Sequence, residues 1–436
     1  MKFPKKETLN ILQLGLGMML VFFAFISQAF IVETVLENRH DSDPSISKHA
    51  GYYSQTIVYG MFLFGNLLAP PVISFIGLRL AFIFGSLPYV LYMVGFLFLN
   101  SYYLYASAAF EGLMAGLLWT SVGQYLASNS NERTISRNSN MMWMLYMSSM
   151  IFGGGFLIAV FGSKPDKNIS MGTTRVLYGT FASVCFVGVI TLGLLRQKTP
   201  GKNAAKANHL QEMSKVIKML QTQDHWWIAI PSAFTGIENS FTSGVYPTAL
   251  SFTKNFSINT NQLMGLNVMA TGTGQLCAAL LFASIGKWSD RAGRWYSMWV
   301  GTVVSLICYG LITVNLPAIA SYEKTYDKPL LSNPSVVIGL ICGFMLGFND
   351  CCVNTQIYAL ISVRYVGRTG PAFALSKFWH ALFTAICMFY GSVASLYIQL
   401  AILAVGTILS SLSFTYVERK MLNQRKRLPT ITIDFC

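Results

Sequence analysis

Residues 286–294 read Gly286-Lys287-Trp288-Ser289-Asp290-Arg291-Ala292-Gly293-Arg294, a short polar connection between an apolar run beginning near Leu263 and another beginning near Trp295. Its two glycines permit a tight reversal and close backbone approach, and Asp290 suits the positive end of a neighbouring helix dipole. Arg291 and Arg294 stay at the surface. The same alternation of long apolar run and short connection extends along the chain. Runs of the roughly 20 apolar residues that a bilayer core requires begin near Thr8, Gly51, Leu80, Tyr102, Asn138, Thr174, Trp226, Leu263, Trp295, Ser335, Pro371 and Ile398. The pattern predicts an all-α membrane protein of twelve transmembrane helices.

Composition supports that class. The 436 residues are 53% hydrophobic and 11% charged, less than half of the roughly 25% charge of a soluble domain, so lipid rather than water must cover most of the surface. The longest polar connection, Arg196 to His225, divides the helices six and six. The expected organisation is an N-terminal six-helix bundle over 1–195, a linker over 196–225, a C-terminal bundle over 226–416 and a basic tail over 417–436. The first apolar stretch follows Lys2, Lys5 and Lys6 and runs to about Val32, too long for a signal-peptide core, so the amino terminus is expected to be kept.

Of the 31 Lys and Arg residues, 22 fall in the connections on the side of the amino terminus and 7 on the other. The positive-inside rule then places both termini in the cytoplasm. The formal charge of +14 needs no nucleic-acid partner, because its excess lies where anionic leaflet lipids attract it. Plasma and endolysosomal membranes both fit. Two glycosylation candidates, Asn168 in Asn-Ile-Ser and Asn255 in Asn-Phe-Ser, fall in loops assigned to the opposite side. The cysteines, mostly within helices, give neither a disulfide framework nor a metal spacing, and adjacent Cys351 and Cys352 point to different faces of a helix. A weak internal echo supports duplication: Gly116, Gln124 and Arg137 precede Gly347, Gln356 and Arg368 by 231, 232 and 231 positions, as in transporters built from repeats.

The 286–294 loop resembles the G-x-x-x-D-R-x-G-R signature of the major facilitator superfamily. That resemblance implies a two-bundle fold, with Gly286, Asp290, Arg291, Gly293 and Arg294 latching the halves near Arg137 and Asn138. The corresponding first-half loop, Ile76-Gly77-Leu78-Arg79, lacks the acid. Gly116-Leu-Leu-Trp119-Thr-Ser-Val-Gly-Gln124, Arg137-Asn138-Ser139, Phe348-Asn-Asp350-Cys-Cys-Val-Asn354-Thr-Gln356 and Pro371-Ala-Phe-Ala-Leu-Ser-Lys377-Phe resemble the Unc-ninety-three-like branch, and within it the subgroup of major facilitator domain-containing protein eleven. The resemblance covers nearly the whole chain. It implies either a solute carrier or a regulatory or trafficking subunit of a potassium channel or receptor.

Ionisable groups at membrane depth cost about 2.5–3.5 kcal/mol each on insertion scales and so need a partner or a wet cavity. Glu111 on the fourth helix, Glu238 on the seventh, Asp350 on the tenth, and Lys377 with His380 on the eleventh are therefore the candidates, joined by Gln28 on the first and by Gln124 and Gln356. In the superfamily fold the first, fourth, seventh and tenth helices line the cavity. Glu111 and Glu238 are accordingly expected to face a central solute, and Asp350 is expected to pair with Lys377, which shares a helix face with His380. Each admits a packing role, since a buried ion pair also fixes helix contacts. Pro70, Pro71 and Pro231 suit kinks, Gly153 to Gly155 close packing, and the scattered aromatic residues interfacial belts, with no aromatic cage assigned. No phosphate loop, metal helix or nucleophile elbow is present in the sequence. Neither an enzyme nor a cofactor nor a metal is expected, and transport would be gradient-driven.

Overall fold

The computed structural model describes residues 6–130, 134–162, 169–196, 218–292, 294–365 and 369–427. The helices are α1 (Lys6–His40), α2 (Ala50–Gly95), α3 (Ser101–Ser128), α4 (Ile135–Gly162), α5 (Met171–Gly193), α6 (Gln223–Ser240), α7 (Tyr246–Phe252), α8 (Thr260–Ala292), α9 (Trp295–Asn315), α10 (Val336–Arg364), α11 (Thr369–Gly391) and α12 (Leu396–Arg427). At 46 residues, α2 would be about 69 Å long if straight, twice what a bilayer core needs. It turns at Gly77, whose φ of 80° and ψ of 160° glycine adopts without a Cβ clash. Its two limbs are the second and third spans. A five-residue π turn, Phe241–Val245, joins α6 to α7 as one interrupted seventh span. Counted so, the described residues make twelve spans, and nine helices among them are individually long and apolar enough to cross a membrane.

With twelve spans between them, the start of α1 at Lys6 and the end of α12 at Arg427 lie on one face, here the near face, and the α1–α2 connection lies on the far face. Two apolar clusters fill the interior. One gathers side chains from Ile11 to Leu195 with Met264, Val268 and Ala381, and the other side chains from Met219 to Met421 with Tyr52. Across the division α4 packs on α8, and α2 on α11. The α4–α8 contact uses one of the three consecutive glycines: a Cβ on Gly154 would lie 2.7 Å from the Gly265 carbonyl oxygen.

The duplication is physical as well as sequential. On α3, Cβ atoms at Gly112 and Gly116 would lie 2.1 Å from the Val58 carbonyl oxygen and 2.2 Å from the Gly65 carbonyl carbon of α2. On α10, Cβ atoms at Gly343 and Gly347 would lie 2.1 Å from the Asn267 amide oxygen and 1.9 Å from the Thr271 carbonyl oxygen of α8. Glycines four apart let two backbones touch where lipid offers no hydrophobic drive to association. The two pairs are 231 positions apart, so each half seats its fourth helix on its second by the same device.

Helix α12 runs beyond residue 416, where the basic tail was expected to begin, and reaches Arg427. The reason is Glu418, 2% exposed, which accepts hydrogen bonds from the backbone N–H groups of Arg294 (2.8 Å) and Trp295 (2.6 Å). It thereby satisfies two of the free donors at the start of α9 and places negative charge at the positive end of that helix dipole. Glu418→Ala leaves those donors buried and unmade, so destabilisation of about 1–3 kcal/mol is expected, read as a lowered melting temperature in detergent; an unchanged melting temperature would refute this role.

Candidate functional site in the C-terminal half and its far-face closure

Glu238 lies on α6 one turn before the π segment and is fully buried. Its Oε1 accepts a hydrogen bond from Asn349 Nδ2 at 2.5 Å, while Oε2 has no partner. The adjacent Asp350 is half-buried on α10. Its Oδ2 accepts from Gln275 Nε2 of α8 and its Oδ1 from Asn354 Nδ2, both at 2.9 Å. Because Asn349 and Asp350 are consecutive on α10, the two carboxylates hold neighbouring positions, and their bonded partners are neutral amides.

The expected Asp350–Lys377 ion pair does not form in this arrangement. The Lys377 ammonium instead lies 5.1 Å from the centroid of the Tyr358 ring on α10, a cation–π placement, and Asp350 is already satisfied by amides. His380 turns away toward α6, its Nδ1 3.0 Å from the Thr235 hydroxyl. Lys377 and His380 share a helix but have different partners.

Glu111 departs further from expectation. It is 0% exposed and neither carboxylate oxygen has a partner. The next residue, Gly112, lies against the Val58 backbone of α2, so Glu111 sits inside the N-terminal bundle and not against a central solute. The cause is the glycine stripe: turning Gly112 and Gly116 onto α2 carries the neighbouring residue 111 inward. Gln28 is likewise enclosed, its amide donating to the Tyr92 hydroxyl and accepting from Gln55 Nε2, both at 3.4 Å. Gln124 is exposed at the near-face end of α3, and Gln356 is buried on α10.

At the far face the halves are tied by charge. Lys324, between α9 and α10, meets Glu37 at 2.5 Å, Asp41 at 2.9 Å and the Asn38 amide oxygen at 3.0 Å. Burial alone would lower the Lys324 pKa, but the hydrogen bonds to Glu37 and Asp41 outweigh it and leave the ammonium above the ordinary lysine value. Lys48 and Glu323 add a looser pair at 3.8 Å. The Tyr52 hydroxyl donates to the Ser321 carbonyl at 2.7 Å, and deeper in, Asn239 Nδ2 of α6 donates to the Tyr59 hydroxyl of α2 at 3.0 Å. Glu33 orders this corner from α1, meeting His49 Nδ1 at 2.9 Å and accepting from the Tyr52 N–H at 2.9 Å.

Of the near-face loop, Gly293 lies outside the described residues, and Gly286, Asp290 and Arg291 are described only as backbone at the end of α8. Arg294 contributes its N–H to Glu418 and a guanidinium bond to the Ala359 carbonyl at 3.5 Å. Arg137 reaches Thr8 and Asn138 within its own half. Asn168 lies outside the described residues. Asn255 spends its amide on the Tyr326 and Asp327 carbonyls, at 2.5 and 3.3 Å. Sequence reasoning missed Asn349, Gln275, Lys324 and Glu37. The first two are amides without a distinguishing pattern, and the last two come together only through the pairing of loop and helix end.

Comparison with known proteins agrees with this architecture. The model of the family described as ion channel regulatory protein UNC-93 matches residues 42–415. The UNC93-like protein MFSD11 of Xenopus laevis is 31% identical, with 95% of this chain and 96% of that one aligned, and its Xenopus tropicalis counterpart is 30% identical over the same shares. UNC93-like protein 3 of Arabidopsis thaliana is 23% identical over 83% of this chain and 78% of its own. A crystal structure of peptide transporter POT in complex with sulfate superposes with a TM-score of 0.64 at 11% identity, over 95% of this chain and 94% of that one. At that identity the likeness is one of fold.

Proposed function

The chain belongs to the UNC-93 family, as a multi-pass membrane protein with the major facilitator fold, and on that premise we propose that it is a gradient-driven solute carrier working by alternating access. The observation that carries this reading is the set of acids held in the middle of the spans without a bonded cation: Glu238 on one amide, Asp350 on two, and Glu111 on none. An uncompensated carboxylate at that depth is costly, and a bound proton or small cation is the least elaborate group that relieves it. Rocking of the two bundles would expose Glu238 and Asp350 to either side in turn, while Glu111 stays enclosed in its own bundle. If the Lys and Arg bias sets the near face in the cytoplasm, the far-face ties would correspond to an arrangement closed to the outside. Coupling by protons or cations follows from those acids, in a plasma or endolysosomal membrane.

The test is proton flux and solute uptake by purified protein in liposomes at two imposed pH gradients, wild type against Glu111→Gln and Glu238→Gln. A carrier is expected to lose its driven uptake in both variants by at least about tenfold, the equivalent of roughly 1.4 kcal/mol. A second reading is a non-transporting subunit, either a regulatory subunit of an ion channel, which the family's own description favours, or a trafficking subunit of a receptor. It predicts no flux from well-folded protein across a broad solute panel and tolerance of both substitutions. Its sensitivity would lie in helix surfaces and the basic segment from Arg419 to Arg427.

A further inference from the structure

Four side chains from four helices share one level of the molecule. Trp119 on α3, Trp143 on α4, Tyr358 on α10 and Lys377 on α11 each stand about six to nine residues, roughly 9–14 Å at the helical rise, from the near-face end of their helix. Two come from each half. The Trp119 and Trp143 rings are stacked, 5.7 Å apart at 22°. Tyr146, about a turn deeper on α4, stands edge-on to both, at 5.6 Å and 75° and at 5.2 Å and 89°. Phe22 closes the back of this wall, 5.2 Å from Trp119 and 4.9 Å from Tyr146. Phe22 is buried, whereas Trp119, Trp143 and Tyr146 are only half-buried, so the aromatic wall keeps uncovered surface.

The C-terminal half supplies the facing wall. Met147, next to Tyr146 on α4, packs in one apolar cluster with Ala278 of α8 and with Cys351 and Cys352 of α10, which brings the aromatic wall alongside the stretch of α10 that carries Asp350 and, two turns on, Tyr358. There the carboxylate is held by amides and the ammonium by a ring. The two charges are not bonded to each other. A solute with only an amine or only an acid would answer one charge and leave the other as it is. A solute with both would answer both, and a ring between them would cover the indoles, where offset and edge-on stacking is worth about 0.5–1.5 kcal/mol beyond burial.

We propose that Trp119, Trp143, Tyr146, Asp350 and Lys377 form the solute site, and that its ligand is a small zwitterion bearing an aromatic ring. The ammonium is received by Asp350, the carboxylate by Lys377, and the ring by the stacked indoles. The proposal rests on the carrier reading and names its substrate class. Because its walls belong to opposite halves, rocking of the bundles would take the site apart and release the solute.

The experiment measures Kd from thermal shifts of purified protein, with phenylalanine, alanyl-phenylalanine, phenethylamine, phenylpropionate and alanine as probes, followed by uptake into liposomes. The aromatic zwitterions are expected to bind at least about tenfold more tightly than the three partial probes. Lys377→Gln should remove that advantage without weakening phenethylamine binding, and Lys377→Arg should retain it. Asp350→Asn should weaken phenethylamine and the zwitterions alike, and Trp119→Ala every probe that carries a ring. Equal binding of phenethylamine and the zwitterions, indifference to Lys377→Gln in a variant with wild-type unliganded stability, or binding of no probe would overturn the site. Binding in the expected pattern without uptake would overturn the carrier reading and leave the site standing. Uptake of a solute of another class, insensitive to Lys377→Gln, would do the reverse.

Discussion

Gly347→Val is expected to remove most of the folded protein. A Cβ at this position would lie 1.9 Å from the Thr271 carbonyl oxygen, 2.7 Å from its carbonyl carbon and 2.9 Å from its Cα. All three are backbone atoms of α8, so relief requires α10 and α8 to move apart along their whole contact, not one rotamer to change. Overpacking a core costs about 1–3 kcal/mol even where side chains yield, and here the yielding part would be a helix. Against a total stability of about 5–15 kcal/mol, that loss should appear as a collapsed monodisperse peak in size-exclusion chromatography of detergent extracts. Gly116→Val should behave the same way in the other half, since its Cβ would lie 2.2 Å from the Gly65 carbonyl carbon. Gly310→Val is the control, because a Cβ there meets nothing within 4 Å. If Gly347→Val and Gly310→Val gave equal yield and equal melting temperature, the close α8–α10 approach would be wrong.

The glycine pairs also mark how far the sequence could be read. Apolar runs announced all twelve spans, because a bilayer demands a fixed length of apolar chain whatever packs beside it. Gly116 and Gly347 were visible as an echo, but Gly112 and Gly343 acquired meaning only once each was seen against the backbone of another helix. Depth was legible for Glu111, Glu238 and Asp350, since rise per residue gives it directly. Direction was not, because facing depends on which neighbour a helix presents its small residues to. Glu111 therefore turned into its own bundle, while Glu238 stood beside Asn349. The Asp350–Lys377 pairing failed for a related reason: a long, flexible lysine stem reaches several partners, and the ring of Tyr358 was not among those that charge alone suggests. Trp119, Trp143 and Tyr146 were indistinguishable from interfacial aromatic residues until α3 and α4 brought them edge to face. The near-face loop that identified the superfamily ends on Arg294, whose structural partner, Glu418, lies 124 positions along the chain.

Lys324→Glu is expected to open the far face. In the wild type one ammonium ties the α9–α10 connection to two carboxylates and an amide oxygen at the end of α1. The Glu37 arm matters most: the Glu37 side chain is 5% exposed, against 58% for Asp41, and water screens the latter contact. The neighbouring Lys48–Glu323 pair, exposed on both sides at 3.8 Å, belongs to the class worth about 0–1 kcal/mol. It cannot hold the closure alone. Charge reversal at 324 replaces attraction by repulsion among three carboxylates, and a change of about 1–3 kcal/mol corresponds to a 5- to 150-fold shift between two states. Hydrogen–deuterium exchange in nanodiscs should quicken over residues 41–56 and 318–330 while the α3–α2 and α10–α8 contacts keep their protection. Combining Lys324→Glu with Glu37→Lys should restore part of the protection, because the buried arm is rebuilt with its signs exchanged. Unchanged exchange in Lys324→Glu would mean that Tyr52, Ser321 and the apolar contacts around them close the far face without the charges. Faster exchange throughout the protein would mean that the lysine supports folding as a whole and not one side of a gate.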